Sequence, residues 1–153
     1  MMLGYLNNPE ATAETIDADG WLHTGDIAIV DEESWFRVVD RVKELIKYKG
    51  YQVAPAELEA ILQTHPCVAD CAVVDSPDLE AGEVPKAFVV LRSACPSDEL
   101  LDWVAQRVTP YKKIRRLEFV EQIPKNPSGK ILRRFLRETE RAAVRQTLPG
   151  GQT

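Results

Sequence analysis

Three short stretches of the chain carry side chains that could do chemistry. Lys47-Tyr48-Lys49-Gly50-Tyr51-Gln52 gathers two ammonium groups and a carboxamide around a glycine. That glycine lets the backbone take a positive φ or lie close against a ligand. Asn126-Pro127-Ser128-Gly129-Lys130 ends on a lysine just ahead of an apolar-periodic segment. A cation at a helix start is disfavoured by the helix dipole, so Lys130 suits a role in meeting an anion. The upstream glycine and following Ser/Thr of a phosphate-binding P-loop are missing there, which excludes that motif. Thr24-Gly25-Asp26 supplies a carboxylate able to accept two hydrogen bonds from the paired hydroxyls of a ribose, with Gly25 allowing close approach.

Patterned segments must position these stretches. Pro9 to Thr15 reads as a short helical turn, Ile27 to Val30 and Trp35 to Val39 as strands, with turns at Asp17–Gly20 and Asp31–Ser34. The charged pair Asp40-Arg41 interrupts two apolar runs, a place where a hinge can sit because few side chains there belong to either core. Pro55 opens a helix to about Thr64, with Leu58, Ile61 and Leu62 on one face and Glu57, Glu59 and Gln63 on the other. His65-Pro66 ends it, placing His65 at the surface. Strands follow at Cys71–Val74, Pro85–Leu91 and Leu117–Val120, with a loop from Asp75 to Glu83 between the first two. The unbroken apolar run of the middle strand predicts a central strand covered on both faces. A helix capped by Ser97 buries Leu100, Leu101, Val104 and Val108. A last helix after Lys130 turns Leu132, Phe135 and Leu136 inward and leaves Arg133, Arg134, Arg137 and Arg141 around the rest. From Ala142 onward the chain offers little core and reads as frayed. The interleaving predicts an α+β fold: a small lid domain with a three-stranded sheet packed by helices, and a short β-hairpin after the hinge.

Composition narrows the function. The 153 residues are 44% hydrophobic and 28% charged with a net charge of −5, which suits an ordinary globular domain and argues against general nucleic-acid binding. No apolar run approaches the ~20 residues that span a bilayer. Cys67, Cys71 and Cys95 are too few and too irregular for a disulfide framework, so a reducing cytoplasm is the expected compartment. Counted with His65 they still read as buried small hydrophobes, and no metal ligand is assigned.

The segment D-R-V-K-E-L-I-K-Y-K-G-Y-Q-V-A-P-A-E-L-E, from Asp40 to Glu59, resembles the hinge region of the adenylate-forming superfamily. It is most similar to the branch of 4-coumarate and other acyl-CoA ligases. W-L-H-T-G-D-I from Trp21 and P-K-N-P-S-G-K from Pro124 resemble two further motifs of that family. The resemblance implies a two-step ligase using ATP with Mg2+, then coenzyme A, on a carboxylic acid. It implies that Asp26 and Arg41 reach the nucleotide ribose and that Asp40 is the hinge. Lys130 then serves adenylate formation, Lys47 and Gln52 serve thioester formation, and Gly50 lines the pantetheine tunnel. Lys49 is a candidate for the phosphates of CoA.

By the same resemblance the opening M-L-G-Y-L-N-N-P-E-A-T lies inside a large N-terminal domain, which would hold the Mg2+ ligands and the acid pocket. The expected organisation is 1–39 as the end of that domain, 40–145 as the mobile C-terminal domain and 146–153 as a flexible tail. The chain would then be one part of a larger enzyme, inactive alone, with its own N-terminal domain as partner. Two other readings stay open: an adenylation domain of a nonribosomal peptide synthetase, and a stand-alone nucleotide- or CoA-binding or regulatory module.

Overall fold

A computed structural model describes residues 2–147, and among these it holds four α-helices and seven strands. The chain divides into two compact units between Lys43 and Glu44.

In the first unit, helix α1 (Pro9–Thr15) starts where the Asn8 side chain accepts the Ala11 amide at 3.0 Å, with proline in the first turn. Strands β1 (Asp26–Val30) and β2 (Phe36–Arg41) form an antiparallel hairpin. Asp31 Oδ1 closes its turn by accepting the amides of Glu33 and Trp35 at 3.0 and 2.9 Å. A bulge between Ile27 and Ala28 sets the register, so Asp26 lies opposite Arg41 and Ile27 opposite Asp40. Asp40 and Arg41 are therefore the end of β2 and not a break between strands, and Asp40 is buried.

In the second unit, strands β3 (Ile46–Tyr48) and β4 (Tyr51–Val53) form the expected hairpin. Helix α2 (Pro55–Gln63) follows, then β5 (Val68–Asp78), β6 (Gly82–Leu91), α3 (Ser97–Ala105), β7 (Arg116–Phe119) and α4 (Arg133–Thr147). The three expected strands are β5, β6 and β7. The hairpin joins them where Tyr48 lies opposite Gly82, which widens the sheet to five strands in the order β4-β3-β6-β5, with β7 parallel to β6. Most of the loop expected from Asp75 to Glu83 is strand instead. Arg116 takes Ser76 Oγ, the Pro77 carbonyl and Asp78 Oδ2, which holds that segment extended despite its proline.

Strand β6 is central and covered on both faces, as its apolar run requires. Ala87 and Val89 pack with Leu58, Leu62, Leu100 and Val104 of α2 and α3. Phe88, pointing the other way, packs with Ala72, Val74, Ile123 and Leu136. Full burial of Leu58, Leu62 and Leu100 contributes roughly 1.5–3 kcal/mol each.

Side-chain burial departs from helical periodicity in four places. Glu59, expected on the polar face of α2, is buried because Arg133 of α4 donates to both its carboxylate oxygens while the Val73 amide donates to one. His65 is buried edge-on to Trp103, with ring centroids 4.9 Å apart. Arg137 is drawn in by Asp75, whereas Phe135 stands outward and is 62% exposed. Helix α3 starts at Ser97 itself, with Pro96 in the cap position, and stops at Ala105, short of Val108. The chain from Ala142 to Thr147 continues α4 and is not frayed, while 148–153, most of the expected tail, lie outside the described residues.

Candidate functional site

The residues singled out for chemistry fall into three places. In the first unit, Asp26 and Arg41 face each other across β1 and β2, and Arg41 Nε donates to Asp26 Oδ1 at 3.1 Å. Thr24 Oγ1 accepts the Asp26 amide at 3.2 Å, and the Gly25 carbonyl accepts the Val42 amide at 2.9 Å. The carboxylate keeps acceptor capacity beyond its arginine, so a diol can still approach it.

The second place is the β3–β4 hairpin. Its period of two sends Ile46 and Val53 into the core and Lys47 and Gln52 out as direct cross-strand partners. On the inner side Tyr51 stacks on Tyr111 at 4.6 Å, and Arg115 donates to the Tyr48 hydroxyl at 3.3 Å. The turn residues Lys49 and Gly50 have φ of +47° and +84°, the two consecutive positive values of a type I′ turn. Lys49 donates its amide to the Ala81 carbonyl and its ammonium to Glu80, and that carboxylate raises the lysine pKa. The Lys47 amide donates to Glu83 Oε2 at 2.7 Å, while its ammonium is exposed and bonds to none of the described residues.

The third place is the loop before α4. Asn126 Oδ1 accepts the amides of Ser128 and Lys130 at 3.0 and 2.9 Å and the Ser128 hydroxyl at 2.8 Å. The Asn126 amide donates to the Lys130 carbonyl, and Gly129 takes the φ of +81° that closes the turn. Lys125 anchors the loop by donating to Asp70 at 2.6 Å. The Lys130 ammonium is left exposed, with no bond to the described residues.

These last two tips stand at opposite ends of one ladder. Asp70, which holds the Lys130 loop, pairs with Val90; Gly82, which meets Tyr48 of the hairpin, pairs with Asp78. From residue 70 to residue 78 is eight steps of β5, or roughly 26 Å at about 3.3 Å per residue.

A family model described as the AMP-binding enzyme C-terminal domain matches residues 57–130. That stretch is similar to AMP-binding enzyme C-terminal domains. A 4-coumarate–CoA ligase of Vanilla planifolia is 58% identical over 149 residues, covering 96% of this chain and 27% of that protein. A peroxisomal OPC-8:0-CoA ligase of Arabidopsis thaliana is 56% identical over 138 residues, covering 89% of this chain and 25% of its own length. The solved o-succinylbenzoate CoA synthetase of Bacillus subtilis, in complex with its acyl-adenylate intermediate, matches with a TM-score of 0.81 at 35% identity, over 89% of this chain and 28% of that one. The resemblance to the adenylate-forming superfamily thus holds, and the chain spans about a quarter of the length of the curated relatives it matches.

The second unit also contains groups that sequence reading passed over. Asn126 organises the Lys130 loop, and Glu80 and Glu83 from the β5–β6 turn region engage the hairpin. A polar residue two to four positions before a glycine turn was the available signal for Asn126. His65, Cys67 and Cys95 converge with their ligand atoms within 4.8 Å of one another. Cys95 comes from a loop far along the chain, so only folding reveals the group. Among the described residues no helix is long and apolar enough to cross a membrane.

Proposed function

We propose that the protein to which this chain belongs is an AMP-forming acid:CoA ligase, and that the second unit presents its two tips in turn. The observation carrying this reading is the placement of two unpartnered lysines, Lys47 and Lys130, at opposite ends of the β5–β6 ladder.

In the first step the acid's carboxylate attacks the α-phosphate of ATP and pyrophosphate leaves. Negative charge grows on the phosphate oxygens, and the Lys130 ammonium, held at the end of a braced loop, stabilises it. In the second step the sulfur of CoA attacks the acyl carbon and AMP leaves. Lys47 and Gln52, side by side across the hairpin, line that approach, with Gly50 giving the pantetheine arm room and Lys49 reaching CoA phosphate once it leaves Glu80. Asp26 binds the ribose hydroxyls with Arg41 beside it. Asp40, at the end of β2, pivots between steps, just ahead of the divide between the units. Mg2+ would shield the polyphosphate. The Asp26–Arg41 pair is a poor donor set for a divalent cation, so its ligands belong to the N-terminal domain. Three free thiols suit a reducing compartment such as the cytoplasm.

The test uses the full-length protein, 4-coumarate as first acid, and two separate assays. Lys130→Ala lowers ATP–pyrophosphate exchange by about 10²–10³-fold, the range for losing one positioned charge, and spares transfer of preformed acyl-adenylate to CoA. Lys47→Ala does the reverse. Loss of the same half-reaction in both variants sinks the assignment.

A further inference from the structure

We propose that His65, Cys67 and Cys95 form a binding site for one zinc-class cation, at the junction of α2, β5 and α3. It is separate from both lysine tips and rests on none of the ligase chemistry.

The fold makes this junction. Helix α2 ends at Gln63, and the chain turns through His65 and Cys67 into β5, where the Val68 amide donates to the His65 carbonyl at 3.1 Å. The Arg92 amide donates to the Cys67 carbonyl at 2.7 Å, which draws the loop carrying Cys95 alongside. One imidazole nitrogen and two sulfurs end within 4.8 Å of one another. Two bonds of about 2.3 Å at a tetrahedral angle would set two sulfurs about 3.8 Å apart, so closure requires at most about 1 Å of movement. Cys67 is half-buried in a turn and can supply it.

The histidine is oriented as a ligand. It is 5% exposed, deeper than a solvated histidine requires. Its Nδ1 accepts the Cys67 amide at 3.3 Å, and its Nε2 faces Glu99 Oε1 at 3.4 Å. Nδ1 is therefore the acceptor and the proton belongs on Nε2, toward the carboxylate; a cation would take the Nδ1 lone pair in place of the Cys67 amide. A carboxylate behind the far nitrogen is how proteins fix the tautomer of metal-binding imidazoles. Two sulfurs and one nitrogen select zinc-class ions over Mg2+ or Ca2+. With three protein ligands and Cys67 half-exposed, water completes the fourth position. A Cys67–Cys95 disulfide is the competing use of the sulfurs, but it leaves the His65–Glu99 alignment without a purpose.

The experiment takes the 153-residue chain, reduced and stripped of metal, and titrates it with Co2+ and then Zn2+. One equivalent of Co2+ should bind with a thiolate-to-metal charge-transfer band, Zn2+ should displace it, and Tm should rise. Cys67→Ser weakens binding at least a hundredfold, Glu99→Gln about tenfold, and Cys71→Ala leaves it unchanged, because Cys71 lies in the core outside the group. Cys95 is buried, so if Cys95→Ser fails to fold by circular dichroism, Cys67→Ser alone decides. A cobalt complex without the charge-transfer band, binding that survives in Cys67→Ser, or an air-stable Cys67–Cys95 disulfide that excludes Zn2+ under mild reductant overturns the proposal.

Discussion

The side chain of Asn126 holds the backbone of Lys130: its Oδ1 accepts the lysine amide at 2.9 Å while also taking the amide and hydroxyl of Ser128. One oxygen thus sets the direction in which an otherwise unattached ammonium leaves the loop. Under the proposed ligase reading, Asn126→Ala should lower adenylate formation by roughly ten- to a hundredfold, the scale of a misplacement near 1 Å, with little change in Tm. Asn126→Asp keeps the oxygen and should restore much of the rate. ATP–pyrophosphate exchange reads the effect, and an unchanged rate in the alanine variant shows that the loop needs no such brace.

The hairpin turn depends on two consecutive positive φ values, at Lys49 and Gly50. A Cβ on Gly50 meets nothing within 4 Å, so any penalty is in the backbone alone. Gly50→Val should cost about 1–2 kcal/mol and a few degrees of Tm, and under the proposed ligase reading should slow thioester formation more than adenylation. Gly50→Asn, which tolerates the left-handed region, should be milder on both counts. Equal losses for valine and asparagine would show that space for the ligand, and not φ, is what Gly50 supplies.

Arg133 spans Glu44 and Glu59, bonding to them at 2.8 and 2.6 Å with its own side chain 16% exposed. Removing one partner from a buried pair costs about 3–5 kcal/mol because the other charge stays behind. Arg133→Ala should therefore lower the urea midpoint of the second unit sharply. Arg133→Lys should recover little, since an ammonium cannot fork to two carboxylates. A change under about 1 kcal/mol would show that Glu59 is held mainly by other contacts.

Burial pushes the Cys71 thiol up to about 12, with nearby Glu59 and Asp70 acting in the same direction. A folded-state pKa raised above the unfolded value means that stability is fully present below the unfolded thiol range, near 9, and is lost as pH rises toward about 12. Lys86 adds to the same alkaline loss. Burial disfavours its charge, but hydrogen bonds to Glu118 and Glu140 outweigh that and raise its pKa. Thermal melts from neutral to alkaline pH should show Tm falling, and Cys71→Ala should flatten the slope between about 9 and 12. A parallel slope in that variant removes the thiol from the account.

Local pattern alone decided a good deal here. Proline at a helix start, an unbroken apolar run and a glycine-bearing turn placed α2, β6 and the β3–β4 hairpin, because each depends on residues within a few positions of one another. The strings carrying Lys47, Gln52, Asp26, Arg41 and Lys130 could be picked out as motifs because each is short and contiguous. Folding alone decided which charges are buried and which groups meet. Glu59 goes inward because an arginine of α4 arrives to neutralise it, and His65 meets Cys95 only because the sheet brings two loops together. Likewise, the separation of the two lysine tips follows from the pairing of β5 with β6. Such facts depend on partners distant along the chain, and a burial cost is decided by the partner that offsets it, which periodicity cannot see.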